Sequence, residues 1–117
     1  MKTRDEARRL KIYISSTDMF RHKPLYEVIV YAAKRYGLAG ATVFKGFMGY
    51  GSSSIVYSMR LWEISEKLPV IIEIVDEASK IEGFIEIILP YFEKVPKGGL
   101  ISIETTTVIL HKTGRIS

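Results

Sequence analysis

The chain has 117 residues, of which 47% are hydrophobic, and it carries 17 Lys and Arg against 13 Asp and Glu for a formal net charge of +4. This length suits one domain, 1–117, and this hydrophobic content excludes a disordered chain. The absence of cysteine excludes disulfides and thiolate metal sites.

Three further features of composition bear on where the protein works. Residues 1–8 form a charged arm without the apolar region of a secretion signal, and no later segment resembles a membrane span. Asparagine and glutamine are absent while lysine, glutamate and isoleucine are plentiful, which is typical of thermophilic proteins because amides deamidate in heat. We therefore expect a cytoplasmic protein from a thermophile. The positive charge suits a polyanionic ligand such as a phosphate but is equally common on a solvated surface.

The first third of the chain predicts a strand and then a helix. Residues 9–14 alternate between polar and apolar side chains, which is the period of a half-buried strand. Pro24 then suits the first turn of a helix, and apolar residues recur at helical spacing from Leu25 to Tyr36. Gly37 follows as the expected left-handed residue at the end of this helix.

The next segment predicts a short strand that leads into a long excursion. Residues 41–45 are β-prone, and glycines follow at positions 46, 49 and 51. Residues 50–68 then form a predicted excursion that ends before Pro69, and residues 55–64 within it have the composition of another short strand.

The second half of the chain repeats the pattern of strand and helix. Residues 70–75 are apolar on both faces, which predicts a strand buried on two sides. Residues 81–92 place apolar side chains at helical spacing, with Asp76 or Ser79 as the expected N-cap and Pro90 as the expected limit of the far end.

The C-terminal segment predicts a final strand. Residues 100–112 are β-branched and rich in threonine, and their length predicts a bulge near residues 105–107. Residues 113–117 are expected to form a tail.

This order of elements predicts an α+β protein with the ferredoxin-like βαββαβ plait, a four-stranded antiparallel sheet with both helices on one face. Four apolar residues are expected to point toward the uncovered face: Ala41, Val43, Ile71 and Val75. Because a monomer rarely exposes such a surface, we expect cyclic self-association to cover it.

The turn at Lys97, Gly98 and Gly99 is a candidate phosphate site. Glycine lets backbone N–H groups converge on an anion, and the lysine neutralises its charge. A solvated lysine beside Gly-Gly is also common in ordinary helix-to-strand turns, so the pattern alone leaves both interpretations open. The triplet Gly46, Gly49 and Gly51 does not precede a helix as the glycines of a Rossmann fingerprint or a P-loop do.

Other functional classes find less support in the residues. Residues 45–50 superficially resemble the RNP1 motif of RNA-recognition domains, but that motif lies on the third strand, so nucleic-acid binding is not favoured. His22 and His111 lack the spacing of a metal site, and a metal-binding trimer like the divalent-cation-tolerance proteins stays as an alternative. No Ser-His-Asp order or nucleophile elbow is present, which indicates a protein that is not an enzyme.

The excursion contains aromatic and basic side chains suited to a protein interface. Tyr57, Arg60 and Trp62 either contact a partner protein or pack the excursion onto the domain.

Several stretches together carry a family resemblance that spans most of residues 9–112. They are residues 10–13, 23–27, 37–43, 46–51 and 68–76, with residues 45–47, 108–109 and 113–114. In these stretches the chain resembles the nitrogen-regulatory PII signalling proteins, and more closely an uncharacterised PII-like family. The resemblance implies a homotrimer whose sheets face inward and which binds a nucleotide such as AMP, ADP or ATP in each cleft between subunits.

The same resemblance implies which residues contact the nucleotide. Lys45 and Gly46 match the base of the mobile loop of PII proteins, which here also contains Gly49 and Gly51. The turn at residues 97–99 occupies the position of their phosphate-binding loop, and Lys112 matches a basic residue of their last strand. The implied function is a sensor in which the nucleotide orders residues 50–68 and so changes the surface offered to a regulated protein, such as a membrane transporter.

Overall fold

The computed structural model describes residues 6–51, 67–95 and 98–114, together with the backbone of residues 57–58. The elements follow in chain order. They are β1 (Glu6–Ser15), β2 (Met19–Phe20), β3 (Lys23–Pro24), α1 (Leu25–Tyr36), β4 (Thr42–Lys45), β5 (Met48–Gly49), β6 (Tyr57–Ser58), β7 (Pro69–Glu77), α2 (Ala78–Lys94) and β8 (Leu100–Thr107).

The four long strands form one antiparallel sheet in the order β4-β7-β1-β8. Both helices pack on the same face of this sheet, so the predicted ferredoxin-like plait is confirmed. Two short hairpins stand beside it, β2 with β3 and β5 with β6. In the described part of the chain no helix has the length and apolar character needed to cross a membrane.

The core lies between the helices and the central strands. The alternation in β1 and β7 buries every second side chain, while the helices contribute residues at helical spacing. These core residues are Leu10, Ile12, Ile14, Val70, Ile72, Ile74, Leu25, Ile29, Ala32, Ala33, Ile81, Phe84 and Ile88. Burying each large aliphatic or aromatic side chain stabilises the fold by about 1.5–3 kcal/mol before entropy is counted.

Helix α1 ends as the sequence predicts. Gly37 has a φ of 95°, and its N–H donates to the carbonyl oxygens of Ala33 and Lys34. Pro24 stands at the N-cap position, and the N–H of Leu25 donates to the carbonyl oxygen of Asp18 at 2.8 Å. The loop after β1 thus caps the helix with a backbone carbonyl.

Helix α2 departs from the prediction at both ends. The N-cap position belongs to Glu77, not to Asp76 or Ser79, and no side chain caps it. Pro90 lies inside the helix, which continues to Lys94, so the predicted limit at Pro90 is wrong. Proline removes the hydrogen bond to the carbonyl oxygen of Glu86; both residues are exposed, where water can replace that bond.

Strand β8 is shorter than predicted. Its register with β1 is continuous from Leu100 opposite Tyr13 to Thr107 opposite Glu6, so the predicted bulge is absent from this ladder. Thr107 lies opposite the first residue of β1, and residues 108–114 form no strand. The predicted extension of this strand to residue 112 is therefore wrong.

The side chains on the uncovered face of the sheet are only partly those expected from the sequence. Val43 lies opposite Ile72, a core residue, and therefore points to the helices, as does Ala41, which packs against the core. The side chain from β4 on the uncovered face is instead Phe44, opposite Ile71.

One row of apolar side chains crosses this face from edge to edge. Phe44, Ile71, Tyr13 and Leu100 stand opposite one another on the four strands. Phe44 and Leu100 remain 49% and 58% exposed, so this row, called the apolar row below, forms an apolar strip on the uncovered face of the sheet.

Candidate functional site

A cavity of about 320 Å³ lies at the end of the sheet from which the longest loops depart. Its wall combines the end of β1, the loop after it, the turn after β5, the start of β7 and the turn before β8. This volume is at the lower end of the range of small-molecule sites, roughly 300–1,000 Å³. Four of the glycines singled out in the sequence line it: Gly49, Gly51, Gly98 and Gly99.

The turn after β4 is held against the first residue of β7. The N–H of Gly46 donates to the carbonyl oxygen of Pro69 at 2.7 Å. A Cβ at Gly46 would lie 2.8 Å from Cγ of Pro69, and one at Gly49 would lie 3.2 Å from the same atom. Both glycines therefore allow the backbone to approach the proline ring, and this approach positions Gly49 and Gly51 in the cavity wall.

The turn before β8 is packed equally closely. A Cβ at Gly99 would lie 3.0 Å from Cε1 of Phe92 and 3.5 Å from the carbonyl oxygen of Tyr13. The packing between α2 and β1 thus favours glycine here, whether or not a phosphate binds.

The loop after β1 forms the opposite part of the wall and is joined to the start of β7. The N–H of Ser16 donates to the carbonyl oxygen of Leu68 at 2.8 Å, and the N–H of Leu68 donates to Oγ of Ser16 at 2.9 Å. This reciprocal pair holds two walls of the cavity together.

Asp18 closes the same loop on itself. Its Oδ2 accepts a hydrogen bond from the N–H of Ser15 at 2.9 Å, and its own N–H donates to the carbonyl oxygen of Ser15 at 3.1 Å. The residue is only 3% exposed although it lines the cavity. A buried carboxylate is therefore part of the wall.

Three other predicted nucleotide-contacting residues, Lys45, Gly46 and Lys112, do not line the cavity. Lys45 lies opposite Val70, so its side chain is on the helix-covered side of the sheet. Gly46 contacts Pro69 of the wall but does not line the cavity itself, and Lys112 is exposed in the segment after β8. Lys97 lies outside the described residues.

The predicted partner-binding residues are placed only in part. Tyr57 pairs with Gly49 in the β5–β6 pair, so this strand pairing places part of the excursion beside the cavity. Arg60 and Trp62 lie outside the described residues.

The structure adds residues that the sequence interpretation missed, among them Tyr13, Asp18, Tyr50 and Lys67. Asp18 stands in a run of small polar residues after a strand, which is a turn signal but not a site signal. Lys67 directly precedes residues 68–76, one of the stretches that carry the family resemblance. Its position in the sequence is therefore a clearer site signal than that of Asp18.

A second cavity, of about 760 Å³, lies on the outer side of α1. It is larger, but none of the predicted site residues line it. Its wall comes from the β2–β3 hairpin, α1 and Tyr91 of α2. The described residues contain no group of three His, Asp or Glu arranged to hold a metal ion.

Comparison with protein families gives one match that spans nearly all of these elements. The profile of the DUF190 family, described as "Uncharacterized ACR", matches residues 7–108. A relative from Aquifex aeolicus (strain VF5), a UPF0166 protein, is 39% identical over 100 residues, which cover 86% of this chain and 90% of the relative.

Solved structures share the fold at low sequence identity. CPII from Thiomonas intermedia K12, bound to ADP and bicarbonate, superposes with a TM-score of 0.65 at 20% identity and covers 89% of each chain. A putative PII-like signaling protein from Thermus thermophilus gives a TM-score of 0.64 at 16% identity, with 89% of this chain and 90% of that chain covered. The fold therefore agrees with the family resemblance seen in the sequence.

Proposed function

Because this chain belongs to the DUF190 family and has a PII-like fold, we propose that it is a small regulatory protein that binds an adenine nucleotide in the 320 Å³ cavity. The observation that carries the proposal is the meeting of two glycine turns, distant in sequence, in one cavity wall. CPII, which has the same fold, is bound to ADP and bicarbonate in its solved structure. The proposed role is binding and readout, not catalysis.

The chemistry of the wall suits a molecule with an anionic end and an apolar body. Gly49, Gly51, Gly98 and Gly99 offer backbone N–H groups without side-chain bulk, and Lys67 contributes a positive charge. Apolar surface comes from Tyr13, Leu68, Pro69, Val70 and Leu100. A phosphate near the glycine turns and a base against the apolar wall would use both parts.

We also propose that the protein is a homotrimer, in which a neighbouring subunit covers the apolar row. Phe44 and Leu100 of this row are about half exposed, and Ile109 and Leu110 in the segment after β8 are 61% and 71% exposed. Burying the part of each side chain that is still exposed would stabilise an assembly by roughly 0.8–2 kcal/mol before the costs of association. The number three comes from the resemblance to PII proteins.

The cavity and the apolar row share residues, which connects binding to assembly. Tyr13 and Leu100 belong to the row and also line the cavity. A subunit packed on the row would therefore stand at the cavity edge, where its Lys112 or Lys97 could add charge to the phosphate site. Readout would follow through residues 50–68, because the pairing of Tyr57 with Gly49 joins that excursion to the cavity wall. The regulated partner is proposed to be another protein, such as a membrane transporter.

Isothermal titration calorimetry with AMP, ADP, ATP and cyclic nucleotides tests the proposal. We expect saturable binding of at least one adenine nucleotide, with about one site per chain. The variant Gly51→Val adds bulk to the cavity wall at a position where a Cβ meets no protein atom within 4 Å. It should weaken binding at least tenfold.

The matched control is Gly40→Val. A Cβ at Gly40 also meets nothing within 4 Å, but this residue does not line the cavity. The control should bind like the wild type. Equal affinities of the two variants, or no heat from any nucleotide with the wild type, would contradict the proposed site.

A further inference from the structure

Among the described residues, one buried side-chain oxygen in the cavity wall lacks a hydrogen-bond partner. Oδ1 of Asp18 exposes less than 1 Å² and accepts no hydrogen bond, whereas Oδ2 of the same carboxylate is bonded to the N–H of Ser15. Buried polar atoms in folded proteins nearly always have partners, so each exception asks for an explanation.

The hydrogen bonds by which Asp18 closes the loop do not explain why its Oδ1 is buried without a partner. Closing the loop uses Oδ2, the backbone N–H and the backbone carbonyl oxygen, and leaves Oδ1 unused. Asp76, the other buried carboxylate among the described residues, shows the usual arrangement. Its Oδ2 accepts from the N–H of Ala39 at 2.8 Å and its Oδ1 accepts from the N–H of Glu77 at 2.7 Å.

The position of Asp18 indicates where a donor would come from. The residue lines the cavity, so a molecule that fills the cavity is the nearest external source of an N–H or O–H group. A carboxylate repels phosphate oxygens, which carry negative charge and no donor at neutral pH. The atom therefore suits the part of a nucleotide that bears amino or hydroxyl groups.

We propose that Oδ1 of Asp18 accepts a hydrogen bond from the non-phosphate part of the bound ligand, either a base amino group or a ribose hydroxyl, and thereby selects the ligand. This inference rests on the proposed nucleotide function. A ligand without the donor leaves the buried oxygen unpaired, so it binds more weakly, and its phosphates are directed away from Asp18 toward the glycine turns.

The variant Asp18→Asn tests this role with little change of shape. The asparagine oxygen can still accept from the N–H of Ser15, which places the NH₂ group where Oδ1 stood and replaces an acceptor by a donor. Calorimetry would compare ADP with its inosine, 2′-deoxy and 3′-deoxy analogues, which lack the amino group or one hydroxyl each. The wild type should bind one of these analogues at least about tenfold more weakly than ADP, and D18N should bind that analogue and ADP about equally.

The control variant is Asp76→Asn, which alters a buried carboxylate that does not line the cavity. It should keep the wild-type preference among the nucleotides. Thermal unfolding without ligand gives a second, independent readout. D76N should lower the midpoint because it places an NH₂ group against an N–H donor, whereas D18N should leave the midpoint unchanged or raise it.

The outcomes separate the inference from the proposed function. If the wild type binds ADP but D18N weakens all four nucleotides equally, the role of Asp18 in selection is refuted and the nucleotide site stands. A loss of thermal stability in D18N as large as that in D76N would also overturn the inference, since it would mean that Oδ1 has a partner in the free protein. If the wild type binds none of the nucleotides, the proposed function fails and takes the selection role with it.

Discussion

The contact between Gly46 and Pro69 gives a prediction whose size follows from the structure. In Gly46→Ala the new Cβ would lie 2.8 Å from Cγ of Pro69, and ordinary contact requires 3.4 Å or more. Proline has no free side-chain torsion that could swing Cγ away, and a change of ring pucker gives only limited relief, so the backbone of the turn must also move. That movement also stretches the 2.7 Å hydrogen bond from the N–H of Gly46 to the carbonyl oxygen of Pro69.

The free-energy cost can be estimated from these two effects. Overpacking of this kind costs about 1–3 kcal/mol, and a weakened hydrogen bond costs up to about 0.5–1.5 kcal/mol. Alanine returns about 0.4–1 kcal/mol because it reduces the entropy of the unfolded chain. We expect a net destabilisation of roughly 1–3 kcal/mol, which lowers the unfolding midpoint by about 4 °C or more in a domain of this size.

Thermal unfolding followed by circular dichroism measures this effect, with all variants at one protein concentration because self-association shifts the midpoint. Gly40→Ala is the matched control, since its Cβ meets nothing within 4 Å, and its midpoint should equal that of the wild type or rise by up to about 4 °C because alanine reduces the entropy of the unfolded chain. The displaced turn should also weaken nucleotide binding in G46A because Gly49 and Gly51 follow it in the cavity wall. Equal midpoints for the two variants would refute the packing argument.

Three further predictions follow from other parts of the fold. Phe44→Asp puts a charge in the apolar row and should shift sedimentation toward the monomer. Thr42→Asp, on the neighbouring polar row, should shift it less. Equal shifts would argue against the apolar row as the interface. Ile72→Ala removes a fully buried side chain and should cost about 2–5 kcal/mol in chemical denaturation, and a cost below about 1 kcal/mol would contradict the core described above. Gly37→Ala forces alanine to a φ of 95° and should destabilise the protein by about 1 kcal/mol, in contrast to Gly40→Ala, where the backbone is not left-handed and the new Cβ meets nothing within 4 Å.

The parts of the fold that the sequence predicts well depend on local periodicity. The alternation around Ile12 and the helical spacing that starts at Leu25 determine which side chains are buried, and the structure buries both residues completely. Gly37 marks the end of α1 because a left-handed backbone is a local requirement.

The parts that it predicts poorly depend on contacts between distant segments. Strand β4 has four residues, so its own pattern does not say whether Val43 or Phe44 faces the helices, and the pairing with β7 decides. The β-prone composition of residues 100–112 does not show that the strand itself ends at Thr107. Likewise, Pro90 is tolerated because the bond that it removes lies on an exposed side of α2.

The candidate site likewise has one part that the sequence predicts and one part that only the folded structure shows. The glycine turns are recognisable in the sequence because glycine marks close backbone approach, and the resemblance to PII proteins connects Gly49 with Gly98. The carboxylate of Asp18 was missed because its turn looks ordinary, and only the folded chain shows one oxygen without a partner in the wall of a cavity.

The most direct test of the nucleotide site is an electron-density map of the protein crystallised with ADP. We expect density for ADP in the cavity, with the phosphates beside the turns at Gly49 and Gly98 and the base or ribose toward Asp18. ADP bound elsewhere on the surface, with this cavity filled only by solvent, would contradict it.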